Sequence, residues 1–265
     1  MTLRYEKADG IATITIDNPP VNVFTPALHR VFFGLLEDFL RDREVRVGIL
    51  TGAGQRAFCA GDDIKSPRRT RSTGEVIERF MFPIREEDEP EYPGWEAEVK
   101  RLSERRYKPI VAAVNGAAMG QGLIYLLQLT DLRLATPNAI FGLPEIAYGM
   151  AGASGSTQLG RVIPQAAALW LALTGDPFDA EAALRHGLIN EIVAPDALMG
   201  RAREVASRIA RHPPIAVRTE MEAFYKARDM TREQATSYVG NLYRLQRAAV
   251  DPTPPLLRRD ATSEA

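Results

Sequence analysis

Glu145 lies within Phe141-Gly142-Leu143-Pro144-Glu145-Ile146, with apolar and proline neighbours on both sides. Burial of such a segment disfavours the charged carboxylate, so its pKa rises towards the range that moves protons at neutral pH. Upstream, Gly120-Gln121-Gly122 opens onto Leu123 to Leu129, an unbroken apolar run that predicts a buried helix starting at the glycines. A helix start leaves backbone N–H groups unpaired at a positive dipole end, so this turn can hold a developing negative charge.

The elements that must position these groups are legible as an alternation. Ile110 to Val114 is apolar and β-branched, bounded by Pro109 and Asn115-Gly116, and reads as a buried strand feeding the glycine turn. Further upstream, Leu3 to Lys7, a turn at Asp9-Gly10 and Ile11 to Ile16 predict a hairpin, with Ala12, Ile14 and Ile16 on one face and Thr13 and Thr15 on the other. Thr25 is the expected N-cap of a helix with Pro26 at its first position. Its core stripe is Leu28, Val31, Phe32, Leu35, Leu36 and Phe39. Val45 to Thr51 is the next strand, and strand–helix–strand order argues for an α/β layer. Gly52-Ala53-Gly54-Gln55-Arg56-Ala57 then matches the loose G-x-G-x-x-A fingerprint. It runs into Phe58-Cys59-Ala60-Gly61-Asp62-Asp63, a poor helix opening, so no nicotinamide cofactor is expected.

Four stretches carry a resemblance: Ala57 to Lys65 (AFCAGDDIK), Asn115-Gly116 to Gly122, Phe141 to Glu145, and Leu173-Thr174-Gly175. Together and in this order the chain resembles the crotonase, or enoyl-CoA hydratase/isomerase, superfamily from about residue 3 to residue 250. The resemblance implies an α/β spiral of repeated ββα turns with a helical C-terminal region. It also implies trimers or pairs of trimers, and acyl-CoA thioesters as substrates. Coenzyme A enters as part of the substrate, with no other cofactor. By the same resemblance the two oxyanion donors are the backbone amides of Asp62 and Gln121, or Gly122 if the register is off by one. Ala60, Asp63, Ile64, Lys65, Gly120 and Gly122 fall in the substrate-binding loops, and Glu145 matches one of two carboxylates that family hydratases use. The other is missing, its place taken by Ile124 or Tyr125. A carboxylate at Asp62 would oppose a developing enolate unless it points away or pairs with a cation.

With one carboxylate kept, the first expectation is an enoyl-CoA isomerase that shuttles a proton between C2 and C4. Hydration or hydratase-lyase chemistry on a bulky or aryl acyl group comes second, and a silent acyl-CoA binder third. The expected organisation is a spiral core over 1–195, with a lid-like insertion at about 66–107. A helical region over 196–250 follows, then a disordered tail over 251–265. Phe80, Met81, Phe82, Tyr92 and Trp95 of the insertion would face the acyl end, while Arg68, Arg69 and Arg71 would meet CoA phosphates or solvent. Asp179 caps a helix that stops at Gly187, Ile189 to Val193 is a short strand, and Asp196 to Arg211 is an amphipathic helix. Thr231 with Gln234 forms a capping box for the last helix, on which Tyr238 and Tyr243 are expected to pack in the core or approach the acyl group.

Bulk properties agree with a small-molecule enzyme. The chain has 265 residues, 45% hydrophobic and 25% charged, with net charge −1, which argues against nucleic acid or an anionic membrane as partner. One cysteine, Cys59, rules out an intrachain disulfide framework, and His29, His186 and His212 lack metal-ligand spacing. No signal-like or membrane-length apolar run is present, so a cytoplasmic location is expected.

Overall fold

The computed structural model describes residues 2–65, 70–82, 95–104 and 106–249, excluding the side chains of residues 79, 80, 96, 153 and 154. Its elements begin with β1 (Thr2–Ala8), β2 (Ile11–Asp17), α1 (Pro26–Arg41), β3 (Val47–Gly52), β4 (Ala57–Cys59), α2 (Thr73–Met81) and α3 (Trp95–Glu104). The centre holds β5 (Ile110–Val114), β6 (Ala117–Met119), α4 (Gln121–Leu129), β7 (Leu132–Ala135) and β8 (Ile140–Gly142). Then follow α5 (Ala153–Val162), α6 (Gln165–Thr174), β9 (Phe178–Asp179), α7 (Ala180–Arg185), β10 (Glu191–Ile192), α8 (Leu198–Ala210), α9 (Pro214–Ala227) and α10 (Arg232–Ala249).

The hairpin closes through Asp9 and Gly10, both at positive φ (53° and 74°), the turn whose twist suits paired strands. In β2, Ala12, Ile14 and Ile16 are buried while Thr13 and Thr15 are half-buried, as the alternation predicts. One sheet runs β1-β2-β3-β5-β7-β10 and the other β4-β6-β8-β9. From β3 to β8, consecutive strands go alternately to the two sheets, and β2, β3, β5, β7 and β10 run parallel. A chain that gives each sheet one strand per turn must wind as a spiral, the α/β architecture expected. After β3 the chain enters β4 rather than a helix, so Gly52-Ala53-Gly54 cannot serve as a dinucleotide turn.

Thr25 caps α1 by accepting from the Leu28 amide, and Leu28, His29, Phe32, Leu36 and Phe39 are buried on its inner face. Val31, expected in that stripe, is 48% exposed. The helix turns its core face through His29 instead. Arg106 and Asp131 form a two-pronged ion pair (2.7 and 3.0 Å), and Asp131 also accepts from the Ile110 amide, so one carboxylate fixes the starts of β5 and β7.

The insertion at 66–107 contains helices. Ser72 and Glu75 form a capping box at α2. α3 packs on α1: Val99 is fully buried, and the Trp95 ring lies 5.2 Å from Phe33 and beneath the Arg30 guanidinium. Trp95, expected over the acyl end, is therefore engaged with α1. Met81 and Phe82 are exposed (63% and 62%). Arg68, Arg69 and Tyr92 lie outside the described residues, as do the Phe80 side chain and the tail over 251–265.

The chain divides into two compact units, Met1–Arg208 and Ile209–Ala265. The first reaches beyond residue 195 because Leu198 and Ala202 of α8 are buried and Arg201 of α8 pairs with Glu191 of β10. In the second unit α9 packs against α10, Thr231 and Gln234 form the expected reciprocal cap (3.0 and 3.3 Å), and Tyr238 donates to Glu222 at 2.8 Å. Tyr243 is 56% exposed. No helix among the described residues is long and apolar enough to cross a membrane.

Candidate active site

The loop after β4 is held by the segment after β2. Phe24 donates to the Gly61 carbonyl (2.9 Å), and the Asp63 amide donates to the Phe24 carbonyl (2.7 Å). In such a bridge alternate amides face opposite ways, so the Asp62 N–H points away from Phe24. No acceptor for it exists among the described residues. The Gln121 amide, first in α4, has no helical carbonyl to reach and likewise no acceptor among them.

These two bends touch. Gly61 (φ 106°) and Gly120 (φ 52°) occupy backbone conformations that favour glycine. A Cβ on Gly61 would lie 3.6 Å from the Gln121 nitrogen, and one on Gly120 would lie 3.9 Å from the Gly61 Cα. The missing side chains are what let the two bends approach this closely. Glu145 stands over the same spot, in a 3-10 turn over Pro144–Tyr148, with Oε1 3.1 Å from the position of a Gly120 Cβ. Its Oε2 is buried without a hydrogen-bond partner among the described residues. Burial holds this carboxyl above the ordinary carboxylate range; its own backbone amide works the other way, and the Asp62 charge adds to burial.

A cavity of about 760 Å³ opens onto these groups, within the usual size range of small-molecule sites. Of the residues expected at the site, Ala60, Asp62, Asp63, Ile64, Lys65, Gly120, Gln121 and Glu145 line it. Gly122 does not. A Cβ there would fall 2.2 Å from the Cys59 carbonyl oxygen, so Gly122 serves the close packing of α4 on β4. Arg71 and Trp95 are not among the lining residues either. Ile124, not Tyr125, faces the cavity where the resemblance calls for a second carboxylate.

Tyr125 turns inward, 1% exposed, with its hydroxyl 2.6 Å from His29 Nδ1. His29 Nε2 lies 3.0 Å from Asp62 Oδ1, so the Asp62 carboxylate is drawn to the imidazole. His29 has no metal-ligand spacing, and its partners lie 33 and 96 residues away in sequence. The available signal was a histidine set among the core positions of α1. Burial pushes the Cys59 thiol up to about 12, which suits a packing role rather than a nucleophile. No cluster of metal-ligating side chains exists among the described residues.

The chain matches the family described as enoyl-CoA hydratase/isomerase over residues 6–246. It is 35% identical to the (E)-benzylidenesuccinyl-CoA hydratase of Thauera aromatica over 254 residues, 95% of this chain and 93% of that protein. It is 34% identical to the carnitinyl-CoA dehydratase of Salmonella arizonae over 242 residues, 90% of this chain and 85% of that protein. The solved enoyl-CoA hydratase of Mycobacterium smegmatis superposes with a TM-score of 0.81 at 26% identity, covering 95% of this chain and 92% of that one. A spiral of strands, two touching glycine bends and a half-buried carboxylate above them thus accompany similarity along nearly the whole length, and this protein belongs to the enoyl-CoA hydratase/isomerase family of the crotonase superfamily.

Proposed function

We propose that this acyl-CoA enzyme reversibly adds water to a 2-enoyl-CoA thioester, with Glu145 moving the proton at C2. The observation that carries the reading is the Glu145 carboxylate over the Gly120 bend that touches Gly61, its Oε2 buried and without a partner among the described residues. The Asp62 and Gln121 amides receive the thioester oxygen as it becomes an enolate, and each such donor is worth about 3 to 4 kcal/mol in comparable oxyanion holes. Burial raises the Glu145 pKa above the ordinary carboxylate range, which favours its passing a proton to and from C2. The relatives' names, a hydratase and a dehydratase, support hydration in one direction or the other. Val21, Val23, Pro144, Ile124 and Met150 give the cavity an apolar wall that suits the acyl chain, and the outer side of the loop, Asp63 to Lys65, is the contact for the CoA arm. Exposed Leu169, Trp170 and Leu173 on α6 (45%, 59% and 67%) support association of several copies.

Isomerisation is the second reading, favoured by Ile124, which leaves α4 without a carboxylate at the cavity. A panel of 2-enoyl, 3-enoyl and aryl-enoyl CoAs in heavy water separates the two. A 3-hydroxyacyl-CoA deuterated at C2 is the expected product. Double-bond migration without a hydroxylated product means isomerisation, and binding without either reaction means a silent binder.

A further inference from the structure

Asp62, His29 and Tyr125 form a hydrogen-bonded chain behind the oxyanion loop, drawn from the loop, α1 and α4. His29 is 7% exposed and Tyr125 1%; the His29 ring stacks on Phe24 at 4.9 Å, and the Tyr125 ring meets Phe24 edge-on at 5.2 Å. A neutral His29 satisfies both contacts in one arrangement: Tyr125 donates its O–H to Nδ1, and His29 donates Nε2–H to Asp62 Oδ1. A cationic His29 donates from both nitrogens. Either way Oδ1 is occupied, whereas Oδ2 has no partner among the described residues, and Asp62 lines the cavity.

Asp62 therefore keeps one carboxylate oxygen unengaged on the cavity-lining residue whose backbone amide is offered to the enolate. A fixed negative charge there opposes enolate formation. The opposition disappears when that carboxylate takes up a proton in the same step. Conjugate addition of water provides such a step. The water oxygen bonds to C3, the C2=C3 electron pair shifts towards the thioester oxygen, and a water proton passes to Asp62 Oδ2. One negative charge moves from the carboxylate to the enolate oxygen, and the net charge of the cavity is unchanged. The enolate then takes a proton at C2 from protonated Glu145 and the thioester carbonyl re-forms. One water has been consumed, and a proton passing through solvent from Asp62 to Glu145 resets the pair.

Resting on the hydration reading above, we propose that Asp62, oriented by His29 and Tyr125, is the group that deprotonates the attacking water, in place of the carboxylate that α4 lacks at Ile124. A purely structural trio would satisfy His29 equally well with an asparagine at position 62, and this is the contrast to test. Two assays on the full chain separate the roles. Exchange of the C2 protons of butyryl-CoA in heavy water needs Glu145 and the oxyanion amides but no attacking water. Hydration of crotonyl-CoA and cinnamoyl-CoA needs all of them.

Asp62→Asn is expected to lower hydration kcat by about 100-fold or more, the usual worth of a general base, with KM within about threefold of wild type and exchange not lowered, since loss of the charge relieves its opposition to the enolate. His29→Gln, a change at a positioning residue, is expected to lower hydration kcat about 10-fold, again sparing KM and exchange. Tyr125→Phe acts in the same sense and more weakly. Hydration at the wild-type rate in Asp62→Asn overturns the proposal. So does a parallel loss of hydration and exchange in a folded Asp62→Asn protein, which would make the side chain a mere support for the hole. If Asp62→Asn does not fold, His29→Gln decides by the same two readings. Failure of the wild type to hydrate either substrate sinks the hydration reading itself, and is told apart because it needs no variant.

Discussion

Gly120→Ala places the first methyl group inside the machinery. Gly120 sits at φ 52°, ψ −124°, a conformation essentially open to glycine alone, so an alanine there costs about 2 to 3 kcal/mol in backbone strain. The new Cβ would stand 3.1 Å from Glu145 Oε1, inside ordinary contact, and either the carboxylate or the bend must move. A displacement approaching 1 Å at a reacting group costs on the order of 100-fold in rate. Strain of that size lowers Tm by about 5 to 10 °C in a chain of this length. Gly187→Ala is the control: its φ is 77° and a Cβ would meet nothing within 4 Å, so it carries a left-handed backbone penalty without touching the site. Thermal unfolding of both variants, together with C2–H exchange of an acyl-CoA measured well below either Tm, gives the comparison. The expected result is a loss of stability in both and a loss of exchange in Gly120→Ala alone. Exchange within threefold of wild type in folded Gly120→Ala would falsify the placement of Glu145 over this bend.

Other expectations concern stability. Gly122→Ala drives a methyl to 2.2 Å from the Cys59 carbonyl oxygen; an overpacking cost of about 3 kcal/mol should appear as a lower denaturant midpoint or loss of soluble protein. Arg106→Ala strands the Asp131 carboxylate at the edge of the core and should cost about 3 to 5 kcal/mol in urea unfolding. Glu145 has a folded pKa above its unfolded value, so its contribution is fully present at low pH and is lost as pH rises from the ordinary carboxylate value through the folded pKa. Glu145→Gln should accordingly gain stability relative to wild type at pH 8 and gain less at pH 4, read from Tm at the two values. An equal difference at both would mean that the carboxyl titrates normally.

The α/β spiral was legible because its signals are local. Thr25-Pro26 starts α1, Asp9-Gly10 turns the hairpin, and Ile110 to Val114 is bounded on both sides by breakers. The site was legible where one short stretch carries it, as at Gly120-Gln121 and at Glu145. It was not legible where contact depends on distant elements. His29 lies 33 residues from Asp62 and 96 from Tyr125, and no pattern on α1 announces either partner. The docking of α3 was not legible for a related reason: it is polar on most faces and docks through Val99 and Trp95, too few apolar positions to register as a periodic stripe. Gly122 and Gly120 look alike in sequence, and only the neighbouring atoms, Cys59 in one case and Glu145 in the other, separate packing from chemistry.

One half-buried carboxylate, Glu145, is proposed to move the proton beside a thioester carbonyl held by two backbone amides. Glu145→Gln keeps the shape of the side chain and removes its acid/base function, so C2–H exchange of an acyl-CoA in heavy water, measured alongside acyl-CoA affinity, tests the claim directly. Exchange reduced to background with affinity nearly unchanged is the expected result. Exchange that continues at a comparable rate in the glutamine variant contradicts it and places the base elsewhere.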